Sequence, residues 1–455
     1  MKKLPTTEKI MELRKEAKRS KAIEAYKFFY PTVSMISNFE ALENLGARAN
    51  NGFLIQLTTP DINALTQNSD TPYGLGYGDV TDGPVVLELV PGPIMGVIDD
   101  ANFKYITDIG LTGEEQGKGA KYLFVSVDYT DDIPEGYIVR RLASNRFLIC
   151  LRAVVKGTDT KEAFDLLRKV KAYPLKEKDA PQANTFQDFS HKKAIATPYF
   201  VDGEFSYWKE LKKALDLDTI DKEYYQMYGL LAELGIEKEK TFEPDEEMKQ
   251  LLTEAAVAAD EQMVINAFAS DVPERIVWES KNWEWVVYGG DSGYYLDNYL
   301  SLSVRERWFY QATLETPKMF MRREGSGSIY CLGIRDKEGR FLDGEKTYTL
   351  KVPVPVPANL YWSVTGYDLD TRSEIVCDGK IPVISSLKKD FEPDADSNIT
   401  LFFGPNAPSD VSLPWIQTVP GHDWFVYFRI YGPSQAAFNG HWQLEDFERV
   451  DQNNN

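Results

Sequence analysis

Cysteine and histidine are scarce in this sequence, because a chain of 455 residues contains three of each. The cysteines, Cys150, Cys331 and Cys377, are far apart and form no C-x-x-C pair, and the histidines form no H-x-H or H-E-x-x-H pattern. We therefore predict no zinc knuckle, dithiol redox motif or histidine-rich metal site, and the sequence identifies no cofactor. Cys150 lies in an apolar run at 147–151, which is typical of a buried structural thiol.

Long apolar runs and an excess of basic residues are also missing. No stretch of about 18 apolar residues occurs, and no apolar segment follows Lys2 and Lys3, so neither a membrane span nor a secretory leader is predicted. With 51 Lys and Arg against 70 Asp and Glu, the formal charge is −19, which repels phosphate backbones and anionic lipids. We expect a cytoplasmic protein with neither a membrane nor a nucleic acid as its partner.

Aromatic residues are abundant instead. The chain contains 25 Tyr, 24 Phe and 9 Trp, and 43% of its residues are hydrophobic, which is enough to form sizeable cores. Aromatic side chains favour the surfaces of β-sheets, but they also line grooves that bind sugars and other rings. A chain of this length is expected to form two or three domains.

The hydrophobic periodicity changes along the chain from helical to strand spacing and back. Helical spacing occurs near the N-terminus and in the middle, whereas short runs rich in Val, Ile, Tyr and Phe, separated by Gly, Pro and Asp turns, occur in two other regions. We divide the chain into N-terminal helices with a break at Pro31 (1–50), a β domain (51–175), a linker with helices (176–325), an antiparallel β-sandwich (326–450) and a disordered tail (451–455).

Two segments of the chain resemble known sequence families. The first, at about 22–175, resembles the family called domain of unknown function 1254 through the motifs NSDTPY (68–73), GPVV (83–86) and GKGAKYL (117–123). The second, at about 327–450, resembles domain of unknown function 1214 through the motifs FLDG (341–344), YWSVTGYD (361–368), FGP (403–405) and WFVYFRIYGP (424–433).

The two families occur in this order in one group of uncharacterised, mainly bacterial proteins, with a helical region between them. The resemblance implies a β-rich α+β fold with a β-barrel or jelly-roll-like N-terminal domain and a jelly-roll-like β-sandwich at the C-terminus. It implies no established reaction, and no catalytic residues are carried over from it.

A dense polar cluster occupies the first of these motifs and contains Asn68, Asp70, Thr71 and Tyr73. As a functional site, Asp70 would be a catalytic base or a ligand, and the other three side chains would hold a substrate hydroxyl or carbonyl group. The alternative is a turn in which the Asn, Asp and Thr side chains cap their own backbone. The glycines that follow suit the rim of a pocket.

Asp99 is the second catalytic candidate. Neighbours along a strand point to opposite faces, so Asp99 and Asp100 would not share one site unless a bulge intervenes. A pair formed by Asp99 and Asp70 across strands would suit hydrolysis or a hard cation. A surface turn is the alternative explanation.

Arg141 and Trp362 complete the set of candidate ligand-binding residues. Arg141 follows Arg140 on a predicted strand, where it would either line a cavity or pair with one of the many carboxylates. Trp362 lies in an aromatic run with strand alternation, where it would either stack on a sugar ring or pack in the core. His422 and Asp423 are the acid–base candidates of the second half.

The leading functional hypothesis is a small-molecule site in a cleft between the N-terminal β domain and its neighbour. Its ligand would be neutral and hydroxylated or carbonyl-bearing, for example a carbohydrate, and the enzymatic version is a hydrolase or lyase that uses carboxylates. The first alternative is a non-catalytic structural or assembly subunit that forms a homo-oligomer. The second is a carbohydrate-binding module. A closed polar pocket with raised carboxylate pKa values favours the enzyme, and an exposed apolar patch favours assembly.

Overall fold

The computed structural model describes residues 4–155, 159–190, 194–195, 205–289, 291–325, 327–377, 381–387 and 391–450. The predicted tail at 451–455 lies outside these residues, and so does His191, one of the three histidines. The described residues form two β-sandwiches and a group of helices that packs against both of them.

The first element is α1 (Thr7–Asn44), a single helix of 38 residues. Its N-cap residue is Thr6, whose side-chain oxygen accepts a hydrogen bond from the backbone N–H of Lys9. Our prediction of a break at Pro31 was wrong, because the helix continues through this residue. A proline inside a helix costs about 3 kcal/mol, but every residue at 28–36 is buried here, and this packing outweighs the cost.

The N-terminal sandwich follows α1. Its elements are β1 (Gly52–Gln56), β2 (Ile62–Asn63), β3 (Tyr73–Asp79), β4 (Val85–Leu89), β5 (Ile94–Asp100), β6 (Tyr105–Gly110), β7 (Ala120–Ser126), β8 (Ile138–Leu142), β9 (Arg146–Ala153), α2 (Lys161–Leu167), β10 (Lys171–Pro174), β11 (Thr185–Asp188) and β12 (Ala194–Ile195). One sheet has the order β11-β1-β3-β9-β5-β6 and the other the order β10-β4-β7-β8, while β2 pairs with β12. Apolar side chains of both larger sheets fill the space between them.

The middle of the chain is mainly helical. Its elements are α3 (Ser206–Leu217), α4 (Tyr225–Glu233), α5 (Glu246–Phe268), β13 (Glu284–Trp285), β14 (Tyr295–Leu296), β15 (Tyr299–Leu300), α6 (Leu302–Gln311) and α7 (Pro317–Phe320). The long helix α5 begins after Asp245, whose carboxylate accepts a hydrogen bond from the backbone N–H of Met248. The hairpin β14-β15 precedes α6.

The C-terminal sandwich contains β16 (Ser328–Gly333), β17 (Thr347–Pro353), β18 (Ala358–Asp368), β19 (Val383–Ser385), β20 (Asn398–Gly404), β21 (Trp415–Gln417), β22 (Trp424–Pro433) and β23 (Glu448–Val450). One sheet has the order β13-β16-β22-β18-β19, so β13 joins it from the helical region, and the other has the order β21-β20-β17-β23. A second apolar core lies between these two sheets.

A third core joins all parts of the molecule. Helices α1, α3, α5 and α6 contribute to it, together with the outer face of the six-stranded sheet through Leu54 and Leu148 and that of the five-stranded sheet through Phe425 and Tyr427. Each sandwich therefore buries one outer face against the helices, and the helices connect the two sandwiches.

The expected β-rich α+β class, with helices in the middle, is confirmed. The described strands of each β domain form facing open sheets, so none of these sheets closes into the barrel that was one of the two expectations for the N-terminal domain. No helix in the described residues is long and apolar enough to cross a membrane.

Candidate functional site

The outer face of the N-terminal sandwich carries a small group of polar residues among apolar ones. Because side chains alternate along a strand, β9 directs every second residue into its own core, and Leu148, Cys150 and Arg152 point the other way. In the neighbouring strand β3, Tyr73 is the partner of Arg152 and Leu75 is the partner of Cys150. These five side chains therefore share one face.

The outer face of the C-terminal sandwich has a matching arrangement. Strand β22 alternates in the same way, so that Tyr427 and Arg429 point away from the sandwich core. Tyr330 of β16 is the strand partner of Arg429. Each sandwich thus places one arginine beside a tyrosine of the adjacent strand.

A cavity, termed here the interdomain cavity, lies between these two faces. It contains about 140 Å³ of space open to water-sized molecules. Its main polar lining residues are Asn38, Gln56, Asn68, Tyr73, Arg152, Tyr330 and Arg429. Its main apolar lining residues, from α1, the six-stranded sheet and the α6–α7 region, are Leu42, Leu45, Leu54, Leu75, Leu148, Trp308, Leu314 and Met319.

The Nε atom of Arg152 is held by a hydrogen bond, whereas its two terminal nitrogens have no partner among the described residues. Its Nε donates a hydrogen bond of 2.8 Å to Thr71 Oγ1, and its guanidinium group lies 5.0 Å from the centre of the Tyr73 ring. In the described part of the chain, neither terminal nitrogen has a hydrogen-bond partner and no carboxylate forms an ion pair with it. An arginine side chain keeps its proton in proteins, so a full positive charge faces this cavity.

Arg429 is more deeply buried, with 3% of its surface exposed. Its Nη1 donates to Thr365 Oγ1 at 2.9 Å and its Nη2 donates to the backbone oxygen of Thr66 at 3.0 Å. Its guanidinium group lies 5.2 Å from the centre of the Tyr427 ring. Among the residues that the structure describes, no carboxylate forms an ion pair with Arg429 either.

A connection between the sandwiches, termed here the linking segment (residues 66–71), contains the first four residues of the NSDTPY motif of the first family. The hydroxyl of Tyr367 donates to the backbone oxygen of Gln67 at 2.6 Å, and the side-chain amide of Asn68 donates to the hydroxyl of Tyr431. These contacts hold the segment against the five-stranded sheet. Two family motifs that are far apart in the sequence therefore meet at this cavity.

Within the linking segment, Asn68 Oδ1 accepts a hydrogen bond of 2.7 Å from the backbone N–H of Asp70. This is the self-capping turn that was the alternative to a functional cluster. Asp70 is buried beside Tyr361. Burial raises the pKa of Tyr361 to about 12, and the charge of Asp70 adds to this increase while that of Arg152 opposes it.

Three of the predicted ligand-binding residues come together at the interdomain cavity. Asn68 and Tyr73 line it, and Thr71 lies behind Arg152 as its hydrogen-bond partner. Burial raises the pKa of Tyr73, and the positive charge of Arg152 opposes this increase. Tyr73 therefore stays a neutral hydroxyl group near pH 7.

Asp99 lies in a different group of residues. It is fully buried at the end of β5, where its Oδ2 accepts a hydrogen bond of 2.8 Å from the backbone N–H of Glu315. Burial, together with the charge of Glu315, raises the pKa of Asp99 well above its usual range. Glu315 in turn accepts a hydrogen bond from the backbone N–H of Tyr105, and burial raises its pKa to about 8. The carboxylate beside Asp99 is thus Glu315, whereas Asp70 was the predicted partner.

Arg141 and Trp362 lie outside the interdomain cavity. Arg141 is exposed, and its Nη1 donates to backbone oxygens, including that of Tyr129 at 2.9 Å. Trp362 points into the C-terminal core, where its ring is parallel to that of Phe428 with 5.5 Å between the ring centres. The strand alternation that brings Arg429 to the cavity turns Trp362 away from it.

Two further groups bear on catalysis. Burial raises the pKa of Cys150 to about 12, so its thiol remains protonated and is a poor nucleophile although it lines the cavity. His422 Nδ1 lies 2.6 Å from Asp368 Oδ2 in an exposed pair outside the cavity lining. Over the described ranges, no group of three or more His, Cys, Asp or Glu side chains is arranged to hold a metal ion.

The two sandwich faces that line the cavity lie in segments that match sequence-family models. Residues 51–174 match the model of the protein of unknown function DUF1254, and residues 327–435 match that of the protein of unknown function DUF1214. The two matches occur in the expected order and together span more than half of the chain. The chain belongs to this two-domain DUF1254–DUF1214 family.

Two solved structures are similar to the DUF1254–DUF1214 chain. The VPA0106 protein from Vibrio parahaemolyticus is 17% identical, with a TM-score of 0.59 over 95% of this chain and 100% of that chain. A putative uncharacterized protein from Burkholderia cenocepacia is 12% identical, with a TM-score of 0.44 over 96% of each chain. No curated protein matches significantly. The first similarity supports the fold alone.

Sequence reasoning selected neither Arg152 in the DUF1254 domain nor Arg429 and Tyr330 in the DUF1214 domain. A signal was present, because Arg429 interrupts the aromatic and aliphatic run WFVYFRIYGP at 424–433. A charged residue at one position of an otherwise apolar strand must face either solvent or a polar cavity. Alternation along the strand could have identified it.

Proposed function

We propose that this DUF1254–DUF1214 protein binds a small organic anion in the interdomain cavity. The observation that carries the proposal is the pair Arg152 and Arg429, two guanidinium groups that line one cavity without an ion-pair partner among the described carboxylates. A chain with 70 acidic residues has many possible partners for them, and none of those in the described ranges occupies this position. Convergent polar groups in a mainly apolar pocket are typical of a ligand site.

The charge of the site favours an anion over the neutral ligand expected from the sequence. Removing a charge from water is costly unless an opposite charge or several hydrogen bonds replace the lost hydration. Arg429 already donates two hydrogen bonds within the protein, whereas the terminal nitrogens of Arg152 have none in the described structure. A carboxylate bound to Arg152 would supply both the charge and the acceptors.

The rest of the cavity favours an apolar body on that anion. Leucine side chains from α1 and the six-stranded sheet form a wall of the cavity, with Trp308 and Met319. This composition suits a carboxylic acid with an aromatic ring or a short hydrocarbon chain. Benzoate and hexanoate are simple examples of the class.

Binding, with no assigned reaction, is the function proposed. The cavity thiol belongs to Cys150, whose raised pKa makes it a poor nucleophile, and Asp99 is placed with Glu315 and does not line the cavity. The hydrolase or lyase version of the hypothesis would need an acid–base pair at the cavity. The proposal therefore keeps the small-molecule site and assigns no catalytic residue.

Isothermal titration calorimetry with sodium benzoate tests the proposal. Replacing Arg152 by Gln (R152Q) should weaken binding at least about tenfold, because a charge-assisted hydrogen bond contributes about 1.5–3 kcal/mol. The matched control is Arg141→Gln, which removes an exposed arginine outside the cavity and should leave the affinity unchanged. Equal affinities for the wild type and R152Q, or no binding by the wild type at millimolar benzoate, would refute the anion site.

A further inference from the structure

The connection between α6 and α7, termed here the α6–α7 loop (residues 312–316), forms part of the wall of the interdomain cavity. Ala312, Thr313 and Leu314 of this loop line the cavity. Trp308 and Met319, which line it as well, lie on the two helices that the loop joins. A movement of the loop would therefore open the cavity.

Leu314 has a strained backbone conformation in this wall. Its φ angle is +71°, in the left-handed region that residues with a Cβ atom rarely adopt, because the Cβ atom comes too close to the following carbonyl oxygen. Such a conformation persists only while the surrounding contacts fix it. The strain at Leu314 therefore favours a different loop conformation once those contacts are lost.

Three hydrogen bonds that involve carboxyl groups join the loop to β5 and β6 of the N-terminal sandwich. The backbone N–H of Glu315 donates to Asp99 Oδ2, and the backbone N–H of Tyr105 donates to Glu315 Oε1, both at 2.8 Å. Thr316 Oγ1 donates to Asp108 Oδ1 at 2.8 Å. Asp99 and Glu315 are both buried, and Asp99 Oδ1 has no hydrogen-bond partner among the described residues. A buried pair of carboxyl groups, Asp99 and Glu315, thus holds the loop in place.

The groups around this pair offset little of the charge that Glu315 would carry when ionised. The charged and titratable residues nearby are Asp100, Lys104, Tyr105, Asp108, Cys150, Tyr224, Tyr294, Arg305 and Lys318. Lys104 pairs with Glu223 at 2.6 Å, and Lys318 lies 3.6 Å from Asp108. Arg305 favours the ionised form of Glu315, but burial outweighs it and raises the pKa of Glu315 to about 8.

We propose that the α6–α7 loop is a pH-dependent gate of the anion site, closed while Glu315 holds a proton and opened as this carboxyl group ionises. An ionised Glu315 is hydrated when the loop leaves β5 and β6, whereas in the closed loop it stays buried beside Asp99. Leu314 adjoins Glu315, so the same movement takes it out of the cavity wall and lets the anion enter or leave. The gate rests on the proposed function, because it controls access to that site.

Proton binding sets the direction of the pH dependence. The pKa of Glu315 is about 8 in the closed loop and returns towards about 4.3 when the open loop exposes it to water. Between these values the closed state binds the extra proton. The equilibrium constant for opening should therefore rise by about tenfold per pH unit in this range and level off above about pH 8.

Hydrogen–deuterium exchange of the whole chain, measured by mass spectrometry from pH 6 to pH 9, tests the gate without a ligand. Exchange rates of peptides at 312–319, divided by the intrinsic rate at each pH, give the opening constant, which should exceed that of β9 because the opening is local. In the wild type it should rise at least about tenfold per pH unit up to about pH 8, and the rise in Glu315→Gln should be smaller by about this factor.

The matched control is Glu306→Gln. Glu306 is another carboxyl group of α6 whose pKa burial raises, but it accepts a hydrogen bond from Asn266 and does not line the interdomain cavity. This variant should keep the wild-type pH dependence. If Glu315→Gln fails to fold, the wild type alone decides, because an opening constant that stays level from pH 6 to pH 8 overturns the proposal.

Stopped-flow tryptophan fluorescence with benzoate connects the gate to the anion site. Benzoate stays ionised from pH 6 to pH 8, so an association rate that rises over this range in the wild type, and rises less in Glu315→Gln, supports the gate. Equal pH dependence of exchange in these two proteins, exchange at 312–319 no faster than in β9, or an association rate that ignores pH would overturn the gate and leave the anion site intact. No benzoate binding at either pH would refute the anion site, and its regulation with it.

Discussion

Arg152 and Arg429 stand in strands whose other residues are almost all apolar. Each has a neutral hydrogen-bond partner, a threonine side chain in both cases, and a tyrosine ring close to its guanidinium group. Such contacts orient a guanidinium group but leave its charge uncompensated. At the scale of single residues, the proposed function depends on this uncompensated charge.

Replacing Arg152 by Met tests whether the arginine serves binding or stability. Without ligand, the variant should melt close to the wild-type temperature or above it, because a half-buried charge with no ion-pair partner in the described structure is replaced by an apolar side chain of similar length. With benzoate at about 100 times the wild-type dissociation constant, the wild type should gain about 2.7 kcal/mol and the variant should gain little. Thermal denaturation with and without benzoate measures both effects. A large loss of stability without ligand would indicate a structural role.

The carboxyl group of Glu315 should make stability depend on pH. Its pKa is about 8 in the folded protein and about 4.3 when unfolded, so the folded state holds the extra proton between these values. The stability that this proton provides is complete below about pH 4.3, falls as the pH rises towards about 8, and is lost above it. The slope is up to about 1.4 kcal/mol per pH unit.

Glu315→Gln keeps an oxygen for the backbone N–H of Tyr105 but cannot ionise. Melting temperatures measured from pH 5 to pH 9 should therefore fall less steeply for the variant than for the wild type. Parallel curves would mean that Glu315 does not hold its proton in the folded protein.

At the scale of elements, two glycines should respond in opposite ways to replacement by alanine. In β3, a Cβ atom on Gly78 would lie 2.0 Å from the ring of Phe147, so Gly78→Ala should destabilise the protein by about 1–3 kcal/mol. In α4, a Cβ atom on Gly229 would have no neighbour within 4 Å, so Gly229→Ala should stabilise it by about 0.5–1 kcal/mol. Urea denaturation of both variants gives the two free energies, and effects of the same sign would contradict this packing.

Local sequence patterns predicted most elements but failed where tertiary contacts decide. The start of α5 was predictable from the acidic residues at 245–247, which suit the positive end of a helix, although Pro244 was expected at the first helical position and instead precedes the N-cap Asp245. The continuity of α1 was not predictable, because the helix tolerates Pro31 only through its burial by other parts of the chain. The linking segment was predicted as either a site or a turn. It is a turn that also lines the cavity, and its partners lie some 300 or more positions later in the sequence.

At the scale of the whole molecule, the helices and both sandwiches share one core. Helices α1, α5 and α6 pack together with residues such as Leu148 of one sandwich and Tyr427 of the other. Unfolding one sandwich would expose that shared surface, so we expect the chain to unfold in a single transition. Differential scanning calorimetry should give one peak with equal calorimetric and van't Hoff enthalpies. Two well-separated peaks would show that the sandwiches are independent.

The β-rich class and the order of the two family domains were predictable, because they depend on periodicity and on long motifs. The interdomain cavity was not predictable, because it is formed by residues far apart in the sequence that only the fold brings together. Asn68 and Tyr73 were selected as one side of it, whereas Arg429 on the other side depends on how β22 faces the helices. The expected homo-oligomer stays a prediction.

Anomalous X-ray diffraction from crystals grown with 4-bromobenzoate tests the anion site most directly. The bromine position and the electron density together locate both ends of the molecule. We predict one bromine in the interdomain cavity against the wall formed by Leu42 and Leu148, with the carboxylate on the terminal nitrogens of Arg152. A bromine found only elsewhere, or a carboxylate turned away from Arg152, would contradict the central claim that these arginines form an anion site.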